Sequence, residues 1–66
     1  SSKLLLLNQL YNNQLNSILT VPRKIYIGKV KNLNFQSVSL ETKEGYISIQ
    51  ISDIFAIDLE VEYESA

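Results

Sequence analysis

The sequence contains no cysteine and no histidine, and these two absences remove most familiar site chemistry. Disulfides and thiolate metal sites are excluded, and the redox compartment leaves no trace. Zinc would have to be held by carboxylates alone, a poor match to its preference for nitrogen and sulfur ligands. Histidine general bases, thiol nucleophiles and Ser–His triads cannot be assembled. Carboxylate or lysine catalysis would need a paired constellation and none stands out, so a non-enzymatic protein without cofactors is expected. Glycine is scarce as well: Gly28 and Gly45 stand alone, which excludes a glycine-rich phosphate loop. Long apolar runs are missing too. The run Leu4 to Leu7 is interrupted at once by Asn8 and Gln9, far short of a bilayer span, so no membrane partner is expected and the cytoplasm is the expected location. Methionine is absent and the chain opens Ser1-Ser2, the pattern of a fragment or of tag remnants on a longer protein.

What is present fits one domain, residues 1–66. A chain this short buries a modest core, which roughly cancels its conformational entropy. With disulfides and thiolate metals excluded, oligomerisation is the stabilising route left open. Net charge is close to zero but unevenly spread. Residues 1–40 carry Lys3, Arg23, Lys24, Lys29 and Lys31 with no acid, whereas residues 41–66 carry Lys43 against seven acids. One reading is a basic patch for nucleic acid or an acidic partner. The other is that the first and last strands pair, setting Lys opposite Glu on a solvated face.

The hydrophobic period changes once along the chain. Leu4, Leu7, Tyr11, Leu15 and Ile18 recur at helical spacing, which predicts an amphipathic helix over 2–20 ended by Thr20-Val21-Pro22. Its polar side consists of amides, weaker helix formers than Lys or Glu, so it depends on tertiary packing. Leu5, Leu6 and Leu10 lie off the central stripe, either as a second face for a partner or as a broad cover for the end of a small barrel. From Lys24 onward the period is two. Strands are predicted at Lys24 to Lys31, Phe35 to Thr42, Tyr46 to Ile51 and Ile54 to Tyr63, with Val38, Leu40, Ile47, Ile49 and Ile51 inward. Gly28 marks a bend, a bulge or a close backbone approach. Lys43-Glu44-Gly45 forms a hairpin turn finished by a left-handed glycine, and Phe35 is expected to fill the core. The fold class is therefore mostly β with an N-terminal α-helix: a small antiparallel barrel of four to five strands over residues 24–63.

The order of helix, bent strand with glycine, hairpin, corner and last strand is similar to the Sm-like and SH3-like small barrels. Residues Gly28 to Leu40, GKVKNLNFQSVSL, resemble the first Sm motif, with Asn34 at its Asp/Asn position. The segment Ile51 to Ile57, ISDIFAI, resembles the short Sm turn between the last two strands, and also the YolD-like family of small bacterial proteins. The resemblance covers roughly residues 3–61 and implies a barrel topology. Where Sm-type RNA binders carry Lys-His or Arg-Gly at that turn, this chain has Ser52-Asp53, and an acid there opposes phosphate binding.

Two functions follow as expectations. The first is a protein-interaction module that forms a homo-oligomer or docks on a larger bacterial protein as a regulator or accessory subunit. Its contact candidates are Leu5, Leu6, Leu10 and Tyr11, helped by unpaired strand edges. The second is an RNA-binding barrel, with Lys24, Lys29 and Lys31 on phosphates, Tyr26 and Phe35 stacking on bases and Asn34 hydrogen-bonding them. The Ile-, Lys- and amide-rich composition resembles that of AT-rich bacterial, phage or plasmid genomes.

Overall fold

The computed structural model describes residues 1–61. Ser1 starts the first helix, its hydroxyl oxygen accepting from the Leu4 N–H at 3.3 Å, which satisfies one of the donors a helix leaves open at its start. Helix α1 covers Ser2–Asn13 and stops at Gln14, whose backbone is left-handed at φ 49° and ψ 46°. The Gln14 N–H donates back to Leu10 and Tyr11, closing the last turn. The predicted helix over 2–20 therefore runs seven residues past the observed end at Asn13. Asn16–Val21 is strand β1 instead. Ile18, Thr20 and Val21 are β-branched and favour a pleated surface, and Pro22-Arg23 is a turn between two strands rather than a helix terminator. Proline suits that position because its φ is already set for a turn.

Four further strands follow: β2 at Lys24–Leu33, β3 at Ser37–Thr42, β4 at Gly45–Gln50 and β5 at Ala56–Leu59. A one-turn 3-10 helix, Ile51–Asp53, forms the corner between β4 and β5. All pairings are antiparallel and the spatial order is β4-β3-β2-β1-β5. The protein is thus mostly β with one N-terminal helix and a five-stranded antiparallel sheet. The sheet is not closed, since among the described residues β4 and β5 form its two edges. The corner ties both ends together: Ile51 N–H donates to Gln36 at 2.9 Å and Phe55 N–H to Thr20 at 2.7 Å.

One face of the sheet and one side of α1 make the core. Leu7 and Leu10 of the helix pack with Leu19, Val30, Val38, Leu40, Ile49, Ile51 and Ile54, each worth about 1.5–3 kcal/mol when removed from water. The inward residues of β3 and β4 follow the period-two reading, with Val38, Leu40 and Ile49 buried and Ile47 half-buried. Ser17 is also fully buried, its hydroxyl donating to the Leu15 carbonyl at 3.0 Å, so its polar group is satisfied.

Gly28 is the close-approach case of the three readings. A Cβ there would overlap the Glu41 carbonyl oxygen and stand 2.8 Å from its carbon. A register shift sits just beyond, between Val30 and Asn32, and such a bulge bends the strand. Gly45 has φ +117°, the left-handed sense expected at the hairpin.

Three other expectations are corrected. The last strand is shorter than Ile54 to Tyr63: Ile54 is buried in the corner, β5 covers Ala56–Leu59, and Tyr63 lies outside the described residues. The strand read as the first is β2, which pairs with β1 and β3, while β5 pairs with β1. Lys–Glu pairing between first and last strands therefore does not account for the charge asymmetry, and Lys29 faces Glu41 of β3 instead. Phe35 is 88% exposed rather than in the core, for a reason seen in its turn.

Candidate interaction surface

That turn is built by Asn34. Its side-chain oxygen accepts from the N–H groups of Gln36 and Ser37, both at 2.8 Å, while its own N–H donates to the Ser37 carbonyl at 3.0 Å. An asparagine that satisfies its own turn in this way fixes the loop locally. Residue 35 is then held at the tip, away from the core. Asn34 is thereby occupied within the chain rather than offered to a base.

Helix α1 separates two apolar grooves. On one flank Leu4 and Leu5 face Leu33 and Phe35 across a depression of about 580 Å³. On the other, Leu6 and Leu10 face Leu15, Ile57 and Leu59 across one of about 290 Å³. Leu5, Leu6 and Tyr11 are exposed, as an interaction surface requires, but Leu10 is only 6% exposed and belongs to the core. The reason is the short helix. With only 12 residues, the buried line is Leu4, Leu7 and Leu10 at i, i+3 spacing, and Tyr11 falls off it. Leu15, Phe55 and Leu59 are exposed apolar residues that the sequence did not mark as surface, and Phe35, expected in the core on one reading and on bases on the other, is exposed as well. Four of the helix's outer residues, Asn8, Gln9, Asn12 and Asn13, are uncharged amides, all exposed.

The residues assigned to nucleic acid are not gathered on one face. Lys24 and Lys29 are an odd number of positions apart in β2 and so leave its opposite faces. Lys24 Nζ lies 5.1 Å from the Tyr26 ring centroid, a cation–π contact, and Tyr26 is half-buried against the core. Lys31 Nζ donates to Gln14 Oε1 at 2.7 Å, while Gln14 Nε2 donates to the Val30 and Tyr11 carbonyls at 2.9 and 2.8 Å. Lys31 thus helps hold the helix end against β2. On the sheet surface Tyr46 donates its hydroxyl to Glu41 Oε2 at 2.9 Å. That hydrogen bond and the carboxylate charge raise the Tyr46 pKa above 10.0. Among the described residues no group of three or more acids gathers to hold a metal ion, and no helix is long and apolar enough to cross a membrane.

Set beside models of known protein families, the chain matches none of them. No curated protein sequence matches it either.

Proposed function

We propose that this domain is a non-enzymatic protein-interaction module, which self-associates or docks on a larger protein as a regulator or accessory subunit. One observation carries the reading: exposed apolar side chains flank α1 on both sides and continue onto an open sheet edge at β5. Isolated exposed apolar residues are ordinary, but a contiguous set beside unpaired strand backbone is a binding surface. The small size supports it, because a chain of 66 residues without disulfides gains margin from a partner. The Sm-like and YolD-like resemblance, with its bacterial and cytoplasmic setting, belongs to the same proposal. It is supported by bent β2 with Gly28, the β3–β4 hairpin and the 3-10 corner standing in the order that suggested it. The test replaces Leu5 and Leu6 together by Ser. Both are exposed, so the fold should survive while the solution mass, or capture by a partner, falls.

RNA binding is the second reading, and Lys24 over Tyr26 is the observation that favours it. With Lys31 and Asn34 engaged inside the chain, few groups remain for phosphates and bases. Single-stranded RNA binding at low salt that weakens steeply with added salt would support it. No binding at low salt ends it.

A further inference from the structure

The β5 edge carries enough detail to name its own occupant. Resting on the interaction reading above, we propose that two copies of this chain pair antiparallel through their β5 strands, about a two-fold axis at Ile57.

The backbone comes first. Glu60 N–H donates to the Asn16 carbonyl at 2.9 Å, which makes Asn16 and Glu60 a hydrogen-bonded pair. Such pairs alternate along an antiparallel ladder. In the observed register the next ones are Ile18 with Asp58 and Thr20 with Ala56. Ile57 and Leu59 therefore turn their N–H and C=O groups away from β1, toward the open edge. Such a row is a ready template for another strand.

The side chains select which strand. Phe55 to Leu59 reads F-A-I-D-L, a pattern whose large apolar residues, Phe55, Ile57 and Leu59, are symmetric about Ile57. With Ile57 on the axis, it faces Ile57 of the second copy, Phe55 faces the second Leu59, and Asp58 faces the second Ala56. Phe55 is 70% and Leu59 50% exposed, so both have apolar surface to bury. The neighbouring register that keeps the sheet faces matched puts the axis at Asp58 and sets the two carboxylates opposite one another, a destabilising pair. The other edge, β4, offers less apolar surface: Ile49 is buried and Ile47 half-buried in its own core, and its one large exposed side chain, Tyr46, has its hydroxyl tied to Glu41.

Charge agrees with self-pairing. A two-fold interface sets each patch against itself, which penalises any net charge. The α1–β5 groove is lined by Leu6, Leu10, Leu15 and amides, with Asp58 its one charged residue, and the chosen register separates the two copies of Asp58. Phe55 N–H already donates to Thr20. Four inter-chain backbone bonds remain, two between the Ile57 residues and two from Leu59 N–H to the Phe55 carbonyl. An interface of this extent sits at the small end of the specific range, so dimerisation should depend on concentration.

The chain has no native cysteine, which makes cross-linking clean. In one copy positions 55 and 59 stand about 13 Å apart along an extended chain, too far for an internal disulfide. Across the proposed axis they face each other at bridging distance. The double variant Phe55→Cys/Leu59→Cys, oxidised at several concentrations, should run mainly as a covalent dimer of the 7.5 kDa chain. Each single variant should form no cross-link, the two thiols of its dimer lying about 13 Å apart. Phe55→Lys in the cysteine-free chain should lower the solution mass to that of a monomer. Absence of the double cross-link with a multimeric native mass would overturn two-fold β5 pairing and leave the interaction reading standing. A monomeric native chain at every concentration would overturn self-association itself, leaving only docking on a larger protein.

Discussion

Replacing Gly28 by alanine tests the packing of β2 on β3 through the sign of a stability change. In an ordinary strand this substitution helps. It restricts the unfolded chain and gains about 0.4–1 kcal/mol where the new side chain fits. Here the added carbon would overlap the Glu41 carbonyl oxygen, stand 2.8 Å from its carbon and 3.2 Å from Leu40 Cγ. The first two are backbone atoms and cannot swing aside. β3 would have to move off β2, straining the pairs Lys29–Glu41 and Val30–Leu40 that follow Gly28. Overpacking of this kind costs about 1–3 kcal/mol, and each weakened ladder bond adds about 1 kcal/mol. A net loss of about 3 kcal/mol is expected, against a total of about 3–10 kcal/mol for a domain of this length. Urea unfolding followed by circular dichroism reads it directly. With a slope of about 1 kcal/mol per molar, the midpoint should fall by about 3 M, or the variant should be unfolded without denaturant. Gly45→Ala is the comparison. Nothing lies within 4 Å of its added carbon, so its cost is the backbone strain of φ +117° alone, about 1–3 kcal/mol. A Gly28→Ala midpoint equal to or above that of the parent would refute the close approach.

Four further outcomes follow from the geometry. Asn34→Ala removes the acceptor for two turn N–H groups and should cost about 1 kcal/mol in the same urea assay. Phe35→Ser should leave stability within about 0.5 kcal/mol, whereas Leu7→Ala, fully buried, should cost about 2–5 kcal/mol. Equal losses would contradict the placement of these two residues. Because Tyr46 has a raised folded pKa, its contribution is fully present below its unfolded value near 10 and is lost as pH rises through the folded value. Ultraviolet titration should show one tyrosine ionising late, and Glu41→Gln should return it toward the ordinary range. Gln14→Ala should loosen the helix end by about 1–2 kcal/mol, since it removes donors to the Tyr11 and Val30 carbonyls and the acceptor for Lys31.

The strands after Lys24 were legible because their alternation is clean: Val38, Leu40 and Ile49 are inward as the period requires, and Lys43-Glu44-Gly45 has the composition of a turn. The first half of the chain misled because Leu15 and Ile18 happen to continue the helical spacing of Leu4, Leu7 and Tyr11. Two local signals opposed that continuation. Ile18, Thr20 and Val21 are β-branched, and Ser17, Leu19 and Val21 alternate with Ile18 and Thr20 as inward residues. Pro22 between two β-branched runs also reads as a turn residue, its φ preset. Phe35 was misplaced by its size, although the preceding Asn34 has the side chain that builds a turn by itself. Of the surface, Leu5, Leu6 and Tyr11 were readable from surplus apolar spacing on the helix. The β5 contribution was not, because edge position depends on strand order, and strand order depends on β1, a strand hidden in the predicted helix.

The interaction surface is the central claim, and solution mass by light scattering on a sizing column, at low and high salt and over a concentration series, tests it most directly. A mass above the 7.5 kDa monomer is expected, rising with concentration and resisting salt, since the contacts are apolar and backbone rather than ionic. A monomer at every concentration, from which Leu5→Ser/Leu6→Ser changes neither the mass nor the capture of any partner, would contradict it.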